Sequence, residues 1–277
     1  MKKKMTLSEA IERLRGAGVP DAEHDARAIF RHFGGFADYE LVLRSISSDE
    51  PRLTAAVERR ALREPLQYII GECDFYRERY TVSPACLIPR ADTEILVDFA
   101  VKNMPSGARF LDLCTGSGCV ALSVLNNTDK TSAVAVDISP EALEIATKNA
   151  ERLGLAERVE LRCGDALAAA DSLVGTGEIF ALLSNPPYVT DGEYEGLERE
   201  IYFEPKRAFV GGSDGGDFYR EITKNYRDYI QKDGFIAYEI GSEQGELLAQ
   251  IATDNGMSFE IIRDLGGRAR VAVLKPV

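Results

Sequence analysis

From about residue 85 to the end, short apolar runs alternate with amphipathic stretches, and this alternation constrains the fold more than any other feature of the chain. The runs "RFLDL", "SAVAVD", "RVELR", "EIFALLS" and "GFIAYEI" have the length and the branched or aromatic content of strands. The segments near 118–127, 141–153, 217–231 and 243–255 have helical periodicity. When a helix separates each strand from the next, it carries the chain back to the same end of the sheet, so the strands run parallel with helices on their faces. The last stretch breaks the rhythm, because "SFEIIRDL" and "RVAVLKPV" are joined by the tight turn "GGRA" with no helix between them. The expected class is therefore α/β: a doubly wound, mostly parallel sheet with an antiparallel hairpin at its edge.

Residues 6 to about 64 follow another pattern. "TLSEAIERL" opens with Thr6 and Glu9 at capping-box spacing, and Leu7, Ala10, Ile11 and Leu14 make one apolar stripe. Further helical segments at 21–33, 38–44 and 51–63 are set apart by Pro20, Gly34-Gly35 and "SSDEP". "QYIIGECDFYRERYTVS", aromatic and branched about a central turn, predicts a β-hairpin. Three parts are expected: a small helical bundle over 1–66, a hairpin linker over 67–84 and an α/β domain over 85–277.

Composition narrows the class further. With 45% hydrophobic content, 277 residues can bury a sizeable core. No apolar run approaches the roughly 18 to 20 residues of a membrane span. "MKKKMTLSEAIERL" passes from basic to amphipathic without the apolar centre of a secretion signal, so a cytoplasmic location is expected, with no membrane partner. The cysteines at 73, 86, 114, 119 and 163 form no C-x-x-C pair, and His24 and His32 lie in one helical stretch. Neither a disulfide framework nor a metal site is expected, and most of the cysteines are read as small buried apolar side chains. The net charge is -12, and the first 80 residues carry fourteen basic and fourteen acidic side chains, which leaves the whole excess on the remainder. Extended contact with a nucleic-acid backbone is not expected of such a chain. The expected state is a monomer.

Chemistry is suggested at the ends of successive strands. "LDLCTGSGCVAL" runs from Asp112 through Gly116 and Gly118 into a helix, where glycine lets backbone approach a ligand and the helix N-terminus offers free N–H groups. Asp137, nineteen residues beyond Gly118, ends the next strand and can accept both hydroxyls of a ribose; Ser139, rather than Asp137, is placed to cap the helix that follows. Asp165, ending the strand after that, can accept from an adenine amino group while the Ala166 N–H meets a ring nitrogen. These features suit S-adenosylmethionine and a dinucleotide equally, since residues 116–121 also satisfy G-x-G-x-x-A.

Asn185-Pro186-Pro187-Tyr188, after the fourth strand, separates the two. A nitrogen that attacks a sulfonium methyl must point its lone pair at carbon, which takes two acceptors for its hydrogens. The Asn185 side-chain carbonyl and the Pro186 backbone carbonyl can be those acceptors, with the prolines fixing the backbone in advance. Tyr188 can pack on the flat face of the nitrogen-bearing group. Beyond it, "TDGEYEGLEREIYFEPKRAFVGGSDGG" carries seven acidic and three basic residues and is long enough to be a lid or binding loop.

"SNPPY" with "LDLCTGSG" resembles the class I S-adenosylmethionine-dependent N-methyltransferases, whose fold is Rossmann-like. "PLQYIIGECDFY", "LIPRADTE", "FEPKRAFVGGSDGGDFYR", "EIGSEQG" and "DLGGRARV" narrow the resemblance to the peptide chain release factor N5-glutamine methyltransferases, the HemK or PrmC family, from about residue 65 to the end. The resemblance implies methyl transfer to the glutamine of the Gly-Gly-Gln motif of release factors, with a helical domain that holds this protein substrate. It implies cofactor contacts from Cys114, Thr115, Gly116, Ser117, Gly118, Asp137, Asp165, Ala166 and Asn185. Asn185, Pro186, Pro187 and Tyr188 would then hold the glutamine. The chain departs from the family pattern at Cys114, a usual glycine, at Ala91, a usual proline, and at Ala166, which is bulkier in some members. Adenine-N6 methyltransferases share Asn-Pro-Pro-Tyr, and a non-catalytic nucleotide-binding protein shares the glycine loop; both are the alternatives to test.

Overall fold

The computed structural model describes residues 4–43, 45–174 and 179–277. Arg44, closing the helical segment expected over 38–44, and Glu178, opening "EIFALLS", lie outside the described residues. The chain forms two compact units, one of residues 1–72 with 198–203 and the other of 73–197 with 204–277.

In the helical unit, β1 (Met5–Thr6) leads into α1 (Leu7–Gly16), followed by α2 (Ala22–Gly34), β2 (Ser47–Ser48), which pairs with β1, α3 (Pro51–Ala61) and α4 (Leu66–Ile70). The capping box is present: Glu9 N donates to Thr6 Oγ1 at 3.1 Å and Thr6 N donates to Glu9 Oε2 at 2.8 Å. Leu7, Ala10, Ile11 and Leu14 are all buried, against Ile29, Phe30, Leu53 and Val57. Residues 66–70 are helical rather than the first arm of a hairpin. Pro65 precedes that turn and Gly71, at φ +84°, ends it in the left-handed conformation, so Leu66, Ile69 and Ile70 pack on the bundle instead.

In the segment 198–203, Glu200 makes ion pairs within this unit. Glu200 accepts from Arg63 Nε and Nη2, both at 2.6 Å, and from Arg60 Nη1 at 2.9 Å, while Arg60 Nε donates to buried Asp25 at 2.7 Å. Burial alone would raise the Glu200 carboxyl, but the hydrogen bonds from Arg63 and Arg60 outweigh it and hold the group below its ordinary value. Glu200→Ala should therefore destabilise the protein by about 3 kcal/mol at pH 7, because it strips a buried guanidinium of a partner. A carboxylate with a depressed pKa contributes stability that is full above its unfolded value and lost as pH falls through the folded one. Urea unfolding at pH 7 and pH 3 should accordingly show a wide gap between wild type and variant at the first and a narrow one at the second.

The second unit begins with the hairpin β3 (Glu72–Phe75) and β4 (Glu78–Thr81), then α5 (Glu94–Asn103), β5 (Arg109–Leu113), α6 (Cys119–Asn126), β6 (Ser132–Asp137) and α7 (Pro140–Arg152). It continues through β7 (Val159–Cys163), α8 (Asp171–Val174), β8 (Ile179–Ser184), α9 (Asp191–Tyr194), α10 (Asp217–Tyr226), β9 (Ile230–Glu239), α11 (Gly245–Asp254), β10 (Met257–Arg263) and β11 (Ala269–Pro276). Seven strands form one sheet in the order β10-β11-β9-β8-β5-β6-β7. All neighbours from β9 to β7 run parallel; β11 is antiparallel to both β9 and β10, as the helix-free ending predicts.

Period-two alternation places the two cores. Leu111, Leu113, Val134, Val136, Ile236 and Tyr238 face one side, covered by α10 and α11. Phe110, Ala133, Ala135, Phe235 and Ala237 face the other, covered by α5 and α6. Helix α5 is apolar over most of its circumference, with Glu94, Asp98 and Lys102 on one narrow stripe, and is absent from the helical segments the periodicity marks. The segment expected to be helical to 231 ends at Tyr226, because β9 starts at Ile230 with a register shift against β8. The cysteines divide: Cys86 and Cys119 are buried, Cys73 and Cys114 partly so, and Cys163 is exposed at the end of edge strand β7, so the expectation that most are buried is corrected. No helix among the described residues is long and apolar enough to cross a membrane.

Candidate active site

Strand order sets the site. After β5 the chain adds β6 and β7 on one side, then returns to place β8 on the other, so the carboxyl ends of β5 and β8 flank the point where direction reverses, where open α/β sheets bind ligands. The two tips are tied together: Ser184 Oγ donates to the Leu113 carbonyl at 2.7 Å.

The glycine loop turns on Asp112, whose Oδ2 accepts from Thr115 Oγ1 at 2.5 Å and from Ala121 N at 3.2 Å, so one buried carboxylate holds both the loop and the first turn of α6. Burial pushes its carboxyl up to about 7 against those two donors. Cys114 has φ +62°, the left-handed conformation that glycine would adopt without strain, at a cost of roughly 1–2 kcal/mol; its side chain packs against the core on one face of the sheet. Gly116 and Gly118 are also left-handed, at φ +57° and +80°. They differ in use. A Cβ on Gly118 would meet Leu122 at 3.1 Å and Ala146 at 3.3 Å, so a side chain there would press on the packing under α6 from a left-handed backbone. At Gly116 the nearest atom would be 3.9 Å away, and its open side is cavity.

Two cavities meet along Cys114 and Gly116. The first, of about 220 Å³, is bounded also by Asp137, Asp165, Ala166 and Pro187, and by Arg207 and Phe218 from the long insertion and α10. The second is bounded by Asn185, Thr115, Ser117, Asp112, Thr93 and Arg90. Of the residues singled out in the sequence, Gly118, Pro186 and Tyr188 line neither. Pro186 is buried, and Tyr188 stands half-buried behind Asn185. The insertion contributes directly, as Pro205, Arg207 and Ala208 all border the first cavity and Glu204, buried, accepts from Ile88 N at 2.9 Å.

Asp137 is built as an acceptor. Its Oδ2 takes Gly116 N–H at 2.8 Å and its Oδ1 takes Ser139 N–H at 2.9 Å. Each oxygen keeps lone-pair capacity for one further donor, which matches two vicinal ribose hydroxyls. Burial raises its carboxyl above the ordinary range, opposed by those backbone donors. Ser139 caps α7, accepting from Ala142 N at 3.2 Å, so Asp137 is not the cap. Asp165 Oδ1 accepts from Leu167 N at 2.9 Å as an ordinary turn aspartate would, and it lines the cavity as well. The chain's own residues thus fit S-adenosylmethionine: an open glycine, a ribose-type carboxylate and an adenine-sized wall beside Ala166. A dinucleotide fits less well, because the Gly116 N–H that a pyrophosphate would draw on is already given to Asp137.

Around Asn185 the structure brings in residues that the sequence analysis does not single out. Asn185 Nδ2 donates to Thr93 Oγ1 at 3.3 Å, Thr93 Oγ1 donates to Glu239 Oε2, and Tyr188 OH donates to Glu239 Oε1 at 3.4 Å. Gln244 holds the motif's backbone, with Nε2 donating to the Tyr188 carbonyl at 3.0 Å. Burial pushes the Glu239 carboxyl up to about 7, and burial also raises the Tyr188 hydroxyl. Thr93 lies in "LIPRADTE" and Gln244 in "EIGSEQG", which only the resemblance marks, while Glu239 also stands near the end of the strand run "GFIAYEI".

Known proteins share this chain's sequence and fold. The family described as PrmC N-terminal domain matches residues 6–71, and the one described as Methyltransferase small domain matches 91–207. A release factor glutamine methyltransferase of Moorella thermoacetica is 34% identical over 275 residues, covering 96% of this chain and 96% of its own. One of Thermodesulfovibrio yellowstonii is 39% identical over 230 residues, covering 80% of each. Among solved structures, the ribosomal protein L11 methylase of Lactobacillus delbrueckii subsp. bulgaricus shares the fold at TM-score 0.52 and 18% identity, over 70% of this chain and 83% of that one. Given a class I methyltransferase sheet, a site fitted to S-adenosylmethionine and relatives matched almost end to end, the chain belongs to the release factor glutamine methyltransferase family of S-adenosylmethionine-dependent enzymes.

Proposed function

We propose that this protein transfers a methyl group from S-adenosylmethionine to the side-chain amide nitrogen of the Gly-Gly-Gln glutamine in peptide chain release factors. The observation that carries the reading is the placement of Asn185 at the tip of β8, in a cavity that adjoins the one bounded by Asp137, with its Nδ2 committed to Thr93. Its Oδ1 is then the edge left to accept from a substrate.

An amide nitrogen is a weak nucleophile because its lone pair is shared with its carbonyl. In this reading Asn185 Oδ1 and the Pro186 carbonyl take its two hydrogens and turn that lone pair out of conjugation, toward the reacting carbon. Pro186 and Pro187 hold the acceptors in place, and Tyr188 supports the flat amide. Bound S-adenosylmethionine supplies an electrophilic methyl group. The nitrogen becomes acidic as it gains the methyl and sheds its proton to solvent, so no general base is called for; both histidines lie in α2, in the helical unit. Asp137 holds the ribose, the Asp165-Ala166 turn meets the adenine edge, and residues 114–118 cradle the remainder. The helical unit grips the release factor away from the reacting loop, and the enzyme works as a cytoplasmic monomer.

Incubation of purified protein with S-adenosylmethionine and a release factor, followed by peptide mass mapping, should place one methyl on the Gly-Gly-Gln glutamine. Parallel incubations with DNA and RNA should incorporate none. Methyl on adenine instead, or no methyl on glutamine while S-adenosylhomocysteine demonstrably binds, overturns the reading.

A further inference from the structure

We propose that Glu239, acting through Thr93 on one side and directly on Tyr188 on the other, is a positioning residue that sets the orientation of the Asn185 side-chain amide for methyl transfer. The inference rests on the reading of Asn185 as the substrate's acceptor and adds what keeps it facing that way.

An asparagine side chain is nearly symmetric in shape, so only its hydrogen bonds decide whether oxygen or nitrogen points into a cavity. A flipped Asn185 would offer donors to the donors of the substrate amide. The structure contains a device against this. The Thr93 hydroxyl has one proton, and that proton goes to Glu239 Oε2, which accepts when the carboxyl is ionised and equally when a proton taken up by this buried group sits on Oε1. Toward Asn185 the same hydroxyl can then act only as an acceptor, and it takes Nδ2–H at 3.3 Å. In the flipped state Asn185 Oδ1 would face a hydroxyl oxygen with no proton to give, losing one hydrogen bond and setting two acceptors against each other. Glu239 is 3% exposed and lines neither cavity, so water cannot readily stand in for it.

The same carboxylate reaches the other end of the motif. Its Oε1 accepts from Tyr188 OH at 3.4 Å, so the first and last residues of Asn-Pro-Pro-Tyr are referred to one group at the tip of β9. Glu239 is itself fixed, because its backbone carbonyl accepts from Tyr219 OH at 2.9 Å. Arg270 of β11, paired with Asp92 at 2.9 Å, supplies the cation on that side.

Three variants test it: Thr93→Val, which keeps shape and removes the hydroxyl, Thr93→Ser, which restores it, and Glu239→Gln, which keeps an acceptor for Thr93. Steady-state methylation of a release factor should show kcat lowered about 10- to 100-fold in Thr93→Val, with KM for the release factor and Kd for S-adenosylhomocysteine within about threefold of wild type. Thr93→Ser should recover to within about threefold, and Glu239→Gln should lose less than Thr93→Val. Wild-type kcat in Thr93→Val, or a Thr93→Ser as slow as Thr93→Val, overturns the proposal, as does a loss confined to cofactor affinity. Should the wild type leave the release factor unmethylated, it is the functional reading that fails. The relay is then read without substrate, from NMR of the Asn185 side-chain amide: one proton protected from exchange in wild type and Thr93→Ser but not in Thr93→Val supports it, and equal protection in all three overturns it.

Discussion

Asn185→Ala is expected to lower kcat by a thousandfold or more while leaving the calorimetric Kd for S-adenosylhomocysteine within a few-fold of wild type. The asymmetry follows from where the side chain stands. It borders the second cavity, and the first cavity, with Asp137 and the Asp165-Ala166 turn, is lined without it. An acceptor that grips the nucleophile only as it is turned for attack stabilises the transition state and not the resting complex, so its removal appears in kcat. Loss of a single preorganised group of this kind typically costs a factor of about 10² to 10³, and more follows here because the amide cannot be twisted by one acceptor alone. Equal loss in cofactor affinity and turnover would mean that the side chain merely shapes the cofactor pocket.

Asp137→Ala is expected to do the reverse, weakening S-adenosylhomocysteine binding by about a hundredfold or more while kcat at saturating cofactor stays within tenfold. Two hydrogen bonds from ribose hydroxyls to a carboxylate contribute roughly 1.5–3 kcal/mol each, enough for that factor even after water compensates in part. The substitution also removes the acceptor for Gly116 N–H and Ser139 N–H, so the loop and the start of α7 loosen together. Asp137→Asn, which keeps one acceptor oxygen, should fall between the two. A Kd unchanged in Asp137→Ala, with circular dichroism showing a folded protein, would remove this residue from the cofactor site.

The parts legible in the sequence are those written in local periodicity or at strand ends. The alternation after residue 85 gave the parallel sheet and its antiparallel ending, and the Thr6–Glu9 spacing gave the first helix, because each depends on neighbours a few residues apart. Asp137 and Asn185 stood out because a carboxylate or an amide at the carboxyl end of a strand has few structural uses. Glu239 has the same placement at the end of a strand, but its link to Thr93 is not legible, since 146 residues separate the two and only the placing of β9 beside β8, with the start of α5 against it, joins them. Helix α5 lies outside the marked segments because its polar stripe, Glu94, Asp98 and Lys102, is narrow against the apolar rest, which weakens the amphipathic signal. Residues 66–70 misled by composition: a branched and aromatic run suits a strand until Pro65 and Gly71 close it into one helical turn.

The placement of residues 198–203 in the helical unit bears on how the polypeptide matures as it leaves the ribosome. Arg60 and Arg63 emerge early, but the carboxylate that binds both lies 140 residues after Arg60. At translation rates of about 5–20 residues per second, the nascent bundle stands for on the order of ten seconds with two guanidinium groups lacking that counter-charge. A fragment cut at residue 72 for the same reason lacks the Glu200 partner of Arg60 and Arg63. Order of synthesis and order of assembly run differently in this chain, so its smaller half is completed only when the larger one is most of the way built.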